Sequence, residues 1–106
     1  MKVLCVCNHG NVRSVALARA IKDISFNTEG HPHEAIAIGA QITTPETMMM
    51  LFEWSDRVVW LSDAVPAPRY PEVVDYSIRV GHDRWHNPFH PELQEIMKII
   101  AKEVLT

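Results

Sequence analysis

The segment VLCVC, residues 3–7, is an unbroken apolar run that ends in a polar turn holding Gly10 and Asn11. Directly after that turn Val12, Ala16, Ala20 and Ile24 recur at helical spacing, with Val15 and Leu17 beside them. Few folds accommodate a strand, a tight turn and a helix in such quick succession. An apolar run without alternation suits a strand buried on both faces. The helix that follows at once covers one of those faces.

The succession repeats along the chain. The first helix is expected over residues 13–23. A loop over 26–33 is marked by Asn27, Gly30 and Pro32, and a second strand follows over 34–38, closed by Gly39. Thr44-Pro45-Glu46 opens the next helix with a capping hydroxyl, a proline at the first helical position and an acid in the first turn. That helix is expected to end near Trp54, with Met48 to Met50, Leu51 and Phe52 supplying core. RVVWL, residues 57–61, reads as a third strand. Three prolines within residues 65–71 impose an irregular connection. A fourth strand is expected over 73–80, then a loop over 81–90. Last comes a helix from Pro91, with Leu93, Ile96, Met97, Ile100, Ala101 and Val104 on one face.

Strands alternating with helices indicate an α/β fold. The expectation is one domain over residues 1–106: a doubly wound, parallel, four-stranded sheet with helices on both faces and a phosphate loop after strand 1. In such sheets ligands bind beyond the carboxyl ends of the strands. The turn from Cys7 to Ser14 lies at such an end.

The net charge of −3 offers no general field for polyanions, so neither nucleic acid nor membrane is expected as a partner. An anionic substrate must be held locally. Both cysteines, Cys5 and Cys7, are read as reduced thiols with side chains pointing apart, since a bridge between them would be badly strained. Reduced thiols, and no apolar run of signal-peptide or membrane-span length, give a cytoplasmic expectation. Cys5 reads as core filler. Alternating Cys5, Cys7 and His9 lack the spacing of a zinc site, so no metal is assigned. His82, His86 and His90 read as solvated loop residues, because Pro88 and Pro91 oppose a helix there. Arg57 and Arg79 read as solvated charges.

Cys7 differs from a filler cysteine in its surroundings. A thiol becomes a good nucleophile only when ionised. The dipole and unsatisfied N–H groups of a helix N-terminus favour the thiolate, as would the Ser14 hydroxyl and the fixed charge of Arg13. Five residues, Asn8, His9, Gly10, Asn11 and Val12, separate Cys7 from Arg13. A loop of that length can curl with its N–H groups inward to make an anion nest. Gly10 and Asn11 tolerate the left-handed backbone the curl requires. Arg13 would add a two-pronged contact to two phosphate oxygens.

This Cys-x5-Arg-Ser arrangement after a first strand, in VLCVCNHGNVRSVALARA, resembles the low-molecular-weight protein tyrosine phosphatases and the arsenate reductases of the same fold. The likeness extends to AIAIGAQ and to TTPETMMMLFEWSDRVVWLSD, including the acid before the third strand, Asp56. The chain departs from the family in carrying His9 and Gly10 where glycine and asparagine are common. It also has Val12 where a second cysteine often stands.

The resemblance implies a cysteine-dependent phosphatase hydrolysing phosphotyrosine, in a phosphorylated protein, or small aryl phosphate monoesters. Cys7 attacks phosphorus, and the loop amides with Arg13 hold the phosphoryl oxygens. No metal or organic cofactor is required. The resemblance also implies an aspartic acid on a late loop as general acid. Asp83 is the one carboxylate between the fourth strand and Pro91, and it reads either as that acid or as a loop cap. Trp85 reads either as a wall for the aryl ring or as a core anchor. Two other readings keep the same cradle: an arsenate reductase using an external thiol, and a non-catalytic module that binds phosphopeptides or other oxyanions. A phosphocysteine carrier of similar fold has no need of Arg13.

Overall fold

A computed structural model describes residues 1–8, 12–62, 70–80 and 85–106. The element order is β1 (Lys2–Cys7), α1 (Arg13–Phe26), β2 (Glu34–Gly39), α2 (Pro45–Trp54), β3 (Arg57–Ser62), β4 (Tyr76–Arg79) and α3 (Pro91–Val104). The four strands form one parallel sheet in the order β2-β1-β3-β4. The α/β class and the parallel four-stranded sheet follow the reading of the sequence.

Strand parity divides the interior into two layers. Val3, Cys5 and Cys7 of β1 join Val59 and Leu61 of β3 beneath α1 and α3. Leu4, Val6, Val58 and Trp60 point the other way and pack with Met48 and Phe52 of α2. Helices therefore cover both faces of the sheet, which explains why β1 shows no polar alternation. Val3 to Val6 are each 0% exposed.

Cys5 and Cys7 were expected to diverge and instead share a face. Residues two apart on a strand point the same way, so both thiols lie in the layer under α1 and α3. Met49 and Met50, expected in the core, are 50% and 69% exposed. Only Met48 and Phe52 of α2 are buried, four residues apart and hence stacked on one face.

α1 runs to Phe26, past the expected end at Asp23. Side chains just beyond it satisfy its last carbonyls. Asn27 Nδ2 donates to the Asp23 carbonyl at 2.9 Å, and Thr28 Oγ1 donates to that of Ile24 at 2.7 Å. β4 is shorter than expected. Val73 and Val74 pack into the α2 layer instead of joining the ladder. The strand starts only after Asp75, whose carboxylate accepts the Val58 N–H at 2.7 Å. Asp75 N–H in turn donates to the Val58 carbonyl. Asp56 does the same for Lys2 at the head of β1. The two acids thus close the sheet at the edge opposite Cys7. Arg57, read as a solvated charge, is half-buried and donates to the carbonyl of Val104 at the C-terminus of α3.

Among the described residues no helix is long and apolar enough to cross a membrane.

Candidate functional site

The chain leaves β1 toward β2 on one side and later returns to place β3 on the other. Between β1 and β3 the strand order reverses, and in parallel sheets ligands bind beyond the carboxyl ends of the strands at such a point. Cys7 is the last residue of β1, and Arg13 and Ser14 are the first two of α1. The sequence needs only the intervening loop to bring these elements together.

The Cys7 thiol is hydrogen-bonded to Ser14 Oγ at 3.1 Å, in a buried setting. Ser14 is fully enclosed, and Arg13 is 4% exposed. A hydroxyl of the first turn of α1 thus meets the sulfur at the end of β1, and the neighbouring Arg13 is buried as well. Were the sulfur ionised, the serine O–H would turn to donate to it.

The other two helices close their N-termini with their own side chains. Thr44 Oγ1 accepts from Thr47 N–H at 3.3 Å, and His90 Nδ1 accepts from Glu92 N–H at 3.2 Å. Each also has an acid in its first turn. α1 has Val12 at its N-cap position, whose apolar side chain cannot cap, and has no acid in its first turn. The helix end nearest Cys7 is the one compatible with an external anion.

The turn after β2 supports the floor of this site. Ala40 N–H donates to the Cys7 carbonyl at 2.8 Å, and Gln41 N–H donates to the Asn8 carbonyl at 3.0 Å. The turn is itself held by Gly39, whose carbonyl accepts from Thr43 N–H and from Thr43 Oγ1. The backbone carrying the sulfur is therefore fixed from both sides, by the β1 ladder and by this turn.

Cys5 is fully buried one pleat below. Burial pushes its thiol up, and the neighbouring Cys7 adds to that, with Lys22 opposing. A thiol so placed resists ionisation, which fits a packing role.

Of the expected site residues, Cys7, Asn8, Val12, Arg13 and Ser14 lie together around the end of β1 and the start of α1. His9, Gly10, Asn11 and Asp83 fall outside the described residues, as does His82. Trp85 is 5% exposed and belongs to the apolar layer that also holds Cys7 and Val12. His86 is exposed, and His90 caps α3.

Sequence reasoning missed the turn after β2. Ser62, 4% exposed, ends β3, but strand parity turns it with Trp60 toward the α2 face, away from Cys7. The Ala40–Gln41 turn gave no signal, because its part is played by backbone N–H groups. Compared with protein-family models, with curated proteins and with solved structures, the chain finds no match.

Proposed function

We propose that the chain is a cysteine-dependent phosphomonoester hydrolase similar to the low-molecular-weight protein tyrosine phosphatases, acting on phosphotyrosine or aryl phosphates. The observation that carries this reading is the buried contact between Cys7 and Ser14, with Arg13 at the first position of the same helix. A structural cysteine has no use for a hydroxyl and a guanidinium within one turn of a helix that lacks its own cap.

In this reading the Cys7 thiolate attacks phosphorus, an S–P bond forms and the P–O bond to the aryl group breaks. Asp83 gives its proton to the departing oxygen. Arg13 and the amides of the loop stabilise the charge on the three equatorial oxygens, where the transition state carries it. As the sulfur leaves again, Ser14 donates to the thiolate re-forming on it. Water completes the second half: it attacks phosphorus, loses a proton to the Asp83 carboxylate, and the S–P bond breaks. Cys5 takes no part, since burial disfavours its ionised form.

The test is turnover of a chromogenic aryl phosphate, with vanadate as inhibitor. Cys7→Ser should abolish turnover while leaving the fold intact, and Asp83→Asn should slow it by about 10²–10⁴-fold. Full activity in the Cys7→Ser protein would overturn the reading. So would vanadate-insensitive hydrolysis, and so would binding of a phosphotyrosine peptide without turnover at any pH.

A further inference from the structure

A groove of about 210 Å3 lies between α1 and α3, with none of Cys7, Arg13 or Ser14 in its lining. Ala16, Ala20 and Ile24 line it, three α1 residues spaced by four and therefore stacked along one face. Alanine at two of the three positions keeps that wall low. Lys98 and Lys102 of α3, also four apart, stand along the other side, and Arg19 of α1 completes the rim.

The lining holds more positive than negative charge. Asp23 is its one carboxylate, and it sits 3.9 Å from Arg19 at an exposed position. Lys98 meets Glu95 at 3.1 Å, again in an exposed pair. Exposed pairs of this kind hold their partners weakly. Three cations around an apolar strip, against Asp23 in the lining and Glu95 beside Lys98, leave an excess of positive charge that suits a ligand with a hydrocarbon body and an anionic head. The lysine stems extend the apolar wall while their ammonium groups reach the rim.

We infer that this groove binds a small apolar carboxylate. Its hydrocarbon part lies on Ala16, Ala20 and Ile24, and its head is held by Lys98, Lys102 and Arg19. Arg19 has a second engagement, its guanidinium carbon 4.6 Å from the centroid of the Phe89 ring. Phe89 belongs to the segment that leads from Trp85 into α3, so a ligand that draws Arg19 inward competes with that contact. The site is separate from Cys7 and stands whether or not the chain is a phosphatase.

The probe is naphthalene-2-carboxylate, titrated calorimetrically into the full chain in saturating inorganic phosphate, so that the Cys7 loop is not the reporter. The carboxylate is expected to bind, naphthalene-2-methanol to bind at least about tenfold more weakly, and added salt to weaken the carboxylate alone. The double variant Lys98→Gln/Lys102→Gln removes two exposed amines and should fold normally. It is expected to lose about tenfold in affinity for the carboxylate, the effect of two exposed charge contacts. Ile24→Asp, which puts a charge on the strip, is expected to abolish binding while the circular-dichroism spectrum stays unchanged. Three results would each overturn the inference: no heat with the carboxylate, equal affinity for the alcohol, or undiminished affinity in the double lysine variant.

Discussion

Cys7 and Ser14 are seven residues apart in sequence, and the sulfur of one hydrogen-bonds the hydroxyl of the other at 3.1 Å. They belong to different elements, the end of β1 and the first turn of α1. The contact exists only when strand, loop and helix are all in place.

Removing the hydroxyl isolates its contribution. A hydrogen bond to a charged group contributes about 1.5–3 kcal/mol. If Ser14 serves the thiolate that leaves phosphorus, Ser14→Ala should lower kcat for an aryl phosphate by about 10–100-fold with little change in KM. Ser14→Thr, which restores a hydroxyl, should recover part of the loss. Unchanged kcat in the alanine variant would show the contact to be packing alone.

The two cysteines should differ sharply toward an anionic alkylating agent. Burial opposes ionisation of Cys5, whereas Cys7 adjoins a helix N-terminus and Arg13. Iodoacetate applied to the native protein should label Cys7 alone, and inorganic phosphate should slow that labelling. Mass spectrometry of the digested product reads the outcome, and Cys5 labelled at a comparable rate would contradict it.

Arg57 should matter to stability more than its sequence context suggests. It donates to the Val104 carbonyl and, at 2.9 Å, to that of Thr106, where α3 presents its negative dipole end. Arg57→Met keeps much of the apolar stem and removes the charge. The expected cost is about 1–2 kcal/mol in urea unfolding, with any turnover of an aryl phosphate unchanged.

His33 should make the fold sensitive to mild acid. Its ring is held below the ordinary histidine value, first by desolvation and then by the Met1 ammonium. Its Nδ1 is buried and has no hydrogen-bond partner among the described residues. As pH falls through about 6.5 the unfolded chain takes up this proton first. The contribution to stability is therefore whole above that pH and is lost as pH drops through the lower folded value. Chemical denaturation at a series of pH values should show a steeper acid decline for the native chain than for His33→Gln. Identical pH profiles would count against this assignment.

Neighbouring methionines should behave unlike one another. Met48 is 1% exposed and Met50 is 69% exposed. Met48→Ala should cost about 2–4 kcal/mol, as a cavity opens in the α2 layer. Met50→Ala should stay within about 0.5 kcal/mol. Equal costs would mean that α2 is rotated from the orientation described.

The α/β order was legible in the sequence because its signals are local. Thr44 and Pro45 mark the start of α2, and Pro91 that of α3, with side chains whose chemistry belongs there. The adjacency of Cys7, Arg13 and Ser14 was legible for the same reason: one short loop joins them. What escaped reading depends on distant partners. Val73 and Val74 have strand-forming side chains, yet Asp75 delays the ladder by bonding to Val58. Met49 and Met50 are as apolar as Met48, but α2 turns only one stripe inward. Asn27 and Thr28 lie in the loop as read, but nothing local told that their side chains would close the last carbonyls of α1. For Cys5 and Cys7 the information was present, since the two-residue period of a strand puts both on one face.

The support of Cys7 by Ala40 bears on the order in which the molecule acquires its chemistry. That bond closes across thirty-three positions of chain, and the pairing of Val6 with Trp60 closes across fifty-four. Contacts between residues so far apart come late, because closing long loops costs entropy before it brings reward. A nascent chain that has emerged only as far as α1 already contains Cys7, Arg13 and Ser14. The turn that bonds to the Cys7 carbonyl and the strand that flanks β1 on its other side are still missing, so the surroundings of the thiol are complete only when β3 arrives.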